Sequence, residues 1–475
     1  MVVSRILFIF SLKLKGMQPN YLPLLQHLKA HYQTGITKDY VFRKNQLELL
    51  KAAILANEQE LYAALQADLK KSKEEAWVTE MGMLIAEINH ALRHLKQWMK
   101  PKKAGTNLAN LPSVSKVYAE PWGVVLIISP WNYPVQLLLS PLVGAIAAGN
   151  VAVVKPSEFA AATANVLQKI IDATFPQNYI CCVQGDGAQV VPALLQAFTF
   201  DYIFYTGSTA VGKIIYKMAA ENLVPVTLEL GGKSPCVVDK DASIAVAAKR
   251  IAVTKFSNCG QMCVAPDYIL VHASIYDAFV QEMKKVILQF FGDDAANNAD
   301  YGKMMNEKQW NRVVGYLQQG TVLAGGAFQK ENLFIAPTLL AVSDLNAAVM
   351  KEEIFGPVLP ILSFSSPAEV ESIVSANPNP LAFYIFTQSQ KNGEYWIQKI
   401  PSGGACINNA SWHLTNPDLP FGGRGNSGLG AYHGQYSFDT FSHQKAVMQT
   451  PVWFDPAIKY PPFKGKLKLF KWLIR

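Results

Sequence analysis

The sequence predicts a doubly wound α/β fold with more than one domain, and three observations carry that expectation. Between residues 123 and 232, short apolar runs (124–128, 151–154, 180–183, 202–205 and 226–228) alternate with stretches of helical character. Runs of that length suit strands buried on both faces, as in parallel sheets whose strands are joined by crossover helices. The polar residues of this half concentrate in the loops after the runs, where ligands bind in such sheets. Finally, 475 residues exceed one ordinary core, and with 50% of them hydrophobic there is apolar material for two or three.

Taken in order, residues 1–16 contain a short apolar core, Ile6 to Phe10, with no small-residue cleavage site after it. That argues against a signal peptide and favours Met17 as the start, with a helix over 18–31 after it. Between residues 37 and 100, Val41, Leu47, Leu50, Ala53 and Ile54 recur at helical spacing, as do Met81, Leu84, Ile85, Ile88 and Leu92. A packing layer accounts for these helices. Pro101 ends them, and 107–120 reads as an extended arm or edge ribbon. After the five apolar runs a second α/β unit starts near Gly232, with a helix over 241–256 and strands over 268–271, 358–362 and 381–386. Residues 419–428 are too rich in glycine for a helix or central strand and predict a loop lining a site.

Composition removes several classes of function. Charged residues make up 16%, and no apolar run reaches the roughly 18 residues of a spanning helix. The net charge of +8 comes from the ends: residues 1–16 and 459–475 hold nine Lys and Arg and no acid, and subtracting those nine leaves −1 for the body. A nearly neutral body argues against nucleic-acid binding. The six cysteines form no secreted-type framework, which fits a reducing cytoplasm.

Cys259 and Cys263 lie in the stretch 256–266, where Asn258, Gly260 and Gln261 offer hydrogen-bonding groups and a flexible backbone. Such surroundings suit a reactive thiol, although most free cysteines are small core residues. A metal site is disfavoured, because no second Cys or His pair stands at zinc-like spacing. The turn Gly207-Ser208-Thr209-Ala210-Val211-Gly212 opens a helix whose N-terminus could face a pyrophosphate, though it is not the G-x-G-x-x-G fingerprint.

Six motifs occur together in one order: Pro130-Trp131-Asn132, Lys155-Pro156-Ser157-Glu158, Thr206-Gly207-Ser208-Thr209, Glu229-Leu230-Gly231-Gly232-Lys233, Gly260-Gln261-Met262-Cys263 and Glu352-Glu353-Ile354-Phe355-Gly356-Pro357. With them the chain resembles the aldehyde dehydrogenase superfamily from about residue 40 to 450. Its ending, Pro420-Phe421-Gly422-Gly423 through Tyr432-His433-Gly434 to Phe441-Ser442-His443, is similar to the class-three branch that includes fatty aldehyde dehydrogenases.

The resemblance implies a Rossmann-type parallel-sheet cofactor domain (17–102 and 120–231) and an α/β catalytic domain (232–426). An oligomerisation arm (103–119 and 443–455) and a basic apolar tail (456–475) complete it. It also implies oxidation of medium- to long-chain aliphatic or aromatic aldehydes to acids, with Cys263 as nucleophile, Glu229 as the base for the deacylating water and Asn132 as oxyanion donor. Lys155 and Glu158 would contact the adenosine ribose, which favours NAD while leaving NADP open. Gly207, Ser208 and Gly212 would lie along the pyrophosphate, and Glu353 and Phe355 would hold the nicotinamide ribose and ring. Phe421 matches an aromatic at the substrate pocket; Tyr133 and His413 are further candidates there, with packing as the alternative. Cys259 has no catalytic part. The implied partners are a small aldehyde and a second copy of the chain. The tail, in which cations alternate with Phe463, Leu467, Phe470 and Trp472, could rest on a membrane surface, stay solvated or cap a neighbouring subunit's funnel. Two rivals share the fold: a CoA-acylating dehydrogenase and a non-catalytic binding protein.

Overall fold

The structure is a computed structural model that describes residues 20–474; the proposed start at Met17 and the segment 1–16 lie outside the described residues. Four helices, Leu22–Gln33, Tyr40–Ala56, Glu58–Leu69 and Gly82–Trp98, form the N-terminal layer. Asp39 caps the second by accepting from Phe42 N–H at 2.8 Å. The layer packs on helix Gln136–Ala148, every residue of which is buried, so it shows no polar face in the sequence. That helix ends at Gly149 (φ 94°), where a Cβ would strike the Arg43 guanidinium and Thr37 O. Arg43, itself buried, donates to Ala147 O at 3.0 Å and so satisfies a carbonyl of the last turn.

The first sheet runs Gly428–Leu429, Val226–Glu229, Tyr202–Thr206, Val124–Ile128, Val151–Lys155, Ile180–Cys182, parallel except at the Gly428–Leu429 edge. All five expected strands are present. Strand Val124–Ile128 pairs with Val151–Lys155 on one side and Tyr202–Thr206 on the other, so the strand order reverses there and a crevice opens at the carboxyl ends. The second sheet has seven strands: Thr321–Ala324, Thr338–Ala341, Val358–Phe364, Tyr268–His272, Pro235–Val238, Ala382–Phe386 and Gly404–Ile407, with only the first antiparallel. The strands between 321 and 341 escape the sequence pattern, because they are short, half-exposed at one edge and broken by Gly325 and Gly326.

A small antiparallel sheet joins Lys102–Ala104, Val114–Pro121 and Ser442–Gln449. The expected arm is therefore only partly extended: Leu108–Asn110 is a 3-10 turn. Beyond it, the tail forms helix Leu467–Leu473, and Phe470 and Leu473 share a cavity of about 760 Å³ with Leu108, Leu111 and Trp453. Among the described residues, no helix is long and apolar enough to cross a membrane.

Candidate active site

The carboxyl ends of the first sheet face the amino ends of the second. Glu229 is the last residue of strand Val226–Glu229, and four residues further on the chain starts toward Pro235–Val238 in the other sheet. Cys263 stands five residues before Tyr268–His272, and Glu353 five before Val358–Phe364.

On the first-sheet side, the loop after Ile128 carries Asn132, 2% exposed, whose Nδ2 donates to Gln261 O at 3.0 Å. The Tyr133 ring lies 3.9 Å from Lys71 Nζ, and its buried hydroxyl has no partner. Lys155 ends its strand and donates to Glu158 Oε2 at 2.6 Å, while Glu158 Oε1 accepts from Gly187 N–H at 3.0 Å. Burial raises the Glu158 pKa, but those two donors outweigh it and hold the carboxyl below its ordinary value. Ser208 caps helix Thr209–Ala220 by accepting from Val211 N–H. At Gly207 a Cβ would collide with the Tyr205 ring. Gly212 lies in the first turn of that helix, where its N–H donates to Ser208 O at 2.9 Å and its bare Cα packs between Tyr205 and Leu230. Glu229 is 2% exposed with both oxygens unpartnered, and burial pushes its pKa well above the ordinary range.

On the second-sheet side, helix Ile244–Phe256 ends in a tight turn where Asn258 (φ 50°), Cys259 (φ 53°) and Gly260 (φ 72°) are left-handed in succession. Left-handed backbone at two successive non-glycine residues is strained and persists only when neighbours hold it. At Gly260 a Cβ would collide with Gly356 O, so glycine is what lets this turn meet the 355–357 loop. Cys259 is fully buried against Tyr301 Oη (3.7 Å) and Met304 Sδ (3.9 Å) and packs as a core thiol. Cys263 keeps partial exposure at a cavity wall. Burial, then the Glu353 and Glu229 carboxylates, push its thiol up to about 12, while the N–H groups of Cys263 and Val264 pull the other way.

Glu353 has an unpartnered, buried Oε1, and burial, then Asp267, raise its pKa to about 8. Arg312 fixes this loop by donating to Glu353 O (2.9 Å) and Ile354 O (2.8 Å). The Phe355 ring meets Trp131 edge-on at 5.4 Å.

A cavity of about 630 Å³ reaches both Cys263 and Glu229, with Trp77, Val78, Leu137, Met262, Trp412 and Phe421 among its apolar walls. Tyr133 and Phe421 line it as expected. His413 does not: it stacks behind Phe421 at 6.0 Å with Nδ1 3.4 Å from Cys406 Sγ, and burial lowers its pKa to about 4. Sequence reasoning passes over Glu87, Gln136, Tyr432 and His433, which also line the cavity. Glu87 does leave a signal: it shares one helical face with Leu84, Ile88 and Ala91, a carboxyl among core positions, and burial raises its pKa to about 7. Among the described residues, those that line the cavity include carboxyls and no Lys or Arg.

Four groups outside the cavity lining suit a dinucleotide. The Glu158 carboxylate and Lys155 stand together at a strand end, Ser208 opens a helix, and Glu353 offers an acceptor oxygen with no partner of its own.

The comparisons agree with this arrangement. The aldehyde dehydrogenase family model matches residues 37–447. The 4,4'-diaponeurosporen-aldehyde dehydrogenase of Staphylococcus aureus is 45% identical over 93% of this chain and 96% of its own. The dimeric NADP-preferring aldehyde dehydrogenase of Rattus norvegicus is 41% identical over 93% of this chain and 98% of its own. A substrate-bound structure of S. aureus AldH superposes with a TM-score of 0.93 at 42% identity, covering 96% of this chain and all of that one. A family model over residues 37–447 and relatives that span nearly the whole chain give the assignment: the chain belongs to the aldehyde dehydrogenase family and is an NAD(P)-dependent oxidoreductase that converts aldehydes to carboxylic acids.

Proposed function

We propose that Cys263 is the nucleophile, Glu229 the base and Asn132 the oxyanion donor in oxidation of neutral, apolar aldehydes of medium to long chain or aromatic type. The observation that carries this reading is that Cys263 and Glu229 open onto the same cavity of about 630 Å³, whose lining, among the described residues, includes no Lys or Arg to recruit an anionic substrate. The Cys263 thiol gives its proton to solvent water, its sulfur adds to the carbonyl carbon, and the C=O electron pair moves to oxygen. One Asn132 Nδ2–H is committed to Gln261 O, and the other, with the Cys263 N–H, serves the oxyanion. As C=O reforms, the C–H bond breaks with its electron pair and a thioester remains on Cys263; bound NAD(P) supplies the acceptor for that hydride. Glu229 then takes a proton from water, the hydroxide attacks the thioester, and C–S cleavage releases the acid and regenerates the thiolate.

Glu158 with Lys155, and Glu353 with Phe355, would hold the cofactor. The Glu158 carboxylate favours a ribose 2′-hydroxyl over a 2′-phosphate, while the adjacent Lys155 tempers that preference. The NADP preference of the rat relative supports leaving both cofactors open. We also propose the domain division expected from the sequence; its break at 231/232 is supported by its position between strands Val226–Glu229 and Pro235–Val238, which belong to different sheets.

We further propose a homodimer through the small sheet, whose edge strand Ser442–Gln449 is largely exposed, in keeping with the dimeric relative. The tail would rest peripherally on anionic membrane: Phe463, Leu467, Trp472 and Ile474 are each more than half exposed beside Lys464, Lys468 and Lys471. Deleting residues 459–475 should then reduce sedimentation with anionic vesicles at low salt and lower activity on long-chain but not short-chain aldehydes. Equal vesicle binding by the two proteins excludes the membrane reading.

Rapid mixing tests the catalytic assignment. Glu229→Gln should give a stoichiometric burst of NADH, a very slow steady state and an acyl-enzyme visible by intact mass. An unchanged steady-state rate would exclude Glu229 as the base.

A further inference from the structure

Residues 71–80 sit in the N-terminal helical layer, far along the chain from either catalytic loop, yet their polar side chains end on both. Lys71 is 1% exposed; its Nζ donates to Glu80 Oε1 at 2.6 Å and to Asn132 O at 3.1 Å. Glu80, fully buried, accepts through Oε2 from Val135 N–H (2.8 Å) and Gln136 N–H (3.3 Å), the two amides that open the helix after Asn132. Glu75 reaches the other loop: its Oε1 accepts from Asn258 N–H at 2.7 Å and from the Ser257 hydroxyl at 2.9 Å. Asn258 closes the circuit, because its Nδ2 donates to Asn132 O at 2.8 Å and to Gln261 O at 3.2 Å.

Packing alone does not call for this. A buried Lys–Glu pair gains little over apolar residues of similar volume, whereas two left-handed residues, Asn258 and Cys259, need outside restraint to persist. The restraint falls on the turn four residues before the Cys263 sulfur and on the backbone of Asn132.

We infer that Glu75, with Lys71 and Glu80, is a positioning device that sets the Cys263 sulfur and the Asn132 amide at the spacing the tetrahedral adduct requires. Glu75 holds the strained turn, the Lys71–Glu80 pair holds the Asn132 loop, and Asn258 joins the two. The inference rests on the roles proposed above for Cys263 and Asn132, and its loss is distinguishable from theirs: an active Cys263→Ala enzyme would remove that reading, whatever Glu75 does.

The test is a comparison of Glu75→Ala with Glu75→Gln in the full chain. The amide oxygen of Gln can accept both hydrogen bonds, and Ala can accept neither. With decanal and NAD, Glu75→Ala should slow first-turnover NADH formation and kcat by about 10- to 100-fold, as a misplaced reacting group does, with KM and NAD affinity changed less than about threefold. Alkylation of Cys263 by iodoacetamide should slow in parallel, and Glu75→Gln should restore the rates. If Glu75→Ala does not fold, Asn258→Gly serves instead, since glycine accepts the left-handed backbone while cutting the tie to Asn132 O; the same kcat loss at unchanged Tm is expected. First-turnover rates at the wild-type level in Glu75→Ala, or in Asn258→Gly where it is used, would overturn the inference. So would a loss in Glu75→Gln equal to that in Glu75→Ala.

Discussion

The two large sheets serve the same site from opposite ends. The first sheet contributes residues at or beyond the carboxyl ends of its strands: Asn132 after Val124–Ile128, Lys155 and Glu229 as the last residues of theirs, and Ser208 after Tyr202–Thr206. The second contributes residues ahead of its strands: Cys263 before Tyr268–His272 and Glu353 before Val358–Phe364. Inspecting the loops after parallel strands is a sound rule where helix N-termini and the crevice at a reversal in strand order face the ligand. It finds Asn132, Lys155, Ser208 and Glu229 and misses the loops that carry Cys263 and Glu353. The second sheet presents its amino ends because residues 230–234 carry the chain directly from the carboxyl edge of one sheet into the amino edge of the other.

The largest expected effect separates the two cysteines of the second-sheet turn. Cys263→Ala should abolish aldehyde oxidation while leaving NAD binding intact, since Cys263 opens onto the cavity and Lys155, Glu158 and Glu353 are untouched. Cys259→Ala should retain activity and cost about 1 kcal/mol of stability, as for a small loss of packing beside Tyr301 and Met304. Steady-state rates and Tm values decide it. An inactive Cys259→Ala beside an active Cys263→Ala would reverse the assignment of the nucleophile.

Most of this site is legible in the sequence as chemistry-bearing residues and little of it as geometry. Short apolar runs mark the first-sheet strands because both faces are covered, and their polar ends therefore stand out. The 256–266 stretch stands out for the same reason. Contact between distant segments cannot be read this way. The 37–100 helices keep helical periodicity and read as packing, yet Lys71, Glu75 and Glu80 end on the catalytic loops; nothing local distinguishes a Lys that meets Asn132 O from one in solvent. The stretch Trp77–Met81, which carries cavity-lining Trp77, Val78 and Thr79, is π-helical, an irregularity that a 3.6-residue period cannot reveal. His413 shows the reverse: a residue placed in the pocket by its neighbourhood in sequence packs behind Phe421 instead.

The smallest expected effect compares one carboxyl from each sheet. Burial alone lifts Glu229, while Glu353 is lifted by burial and Asp267 to about 8 and pulled back by Gly232 N–H, Arg312 and Lys233. Between the ordinary value of 4.5 and these raised values the folded enzyme binds protons that the unfolded chain has released. Stability from both groups is therefore complete below pH 4.5 and falls as pH rises, through about 8 for Glu353, at about 1.4 kcal/mol per pH unit for each proton so held. Glu80 and Glu87 add to the same slope, so the informative quantity is the change on substitution. In Tm measurements on the cofactor-free enzyme from about pH 5 to 9, Glu229→Gln should flatten the decline more than Glu353→Gln, because no partner opposes burial at Glu229. Equal flattening would mean that water or a neighbouring donor reaches Glu229 in solution. In that case burial would weigh on the first-sheet carboxyl no more than on Glu353, and the contrast between the two carboxyls would be absent.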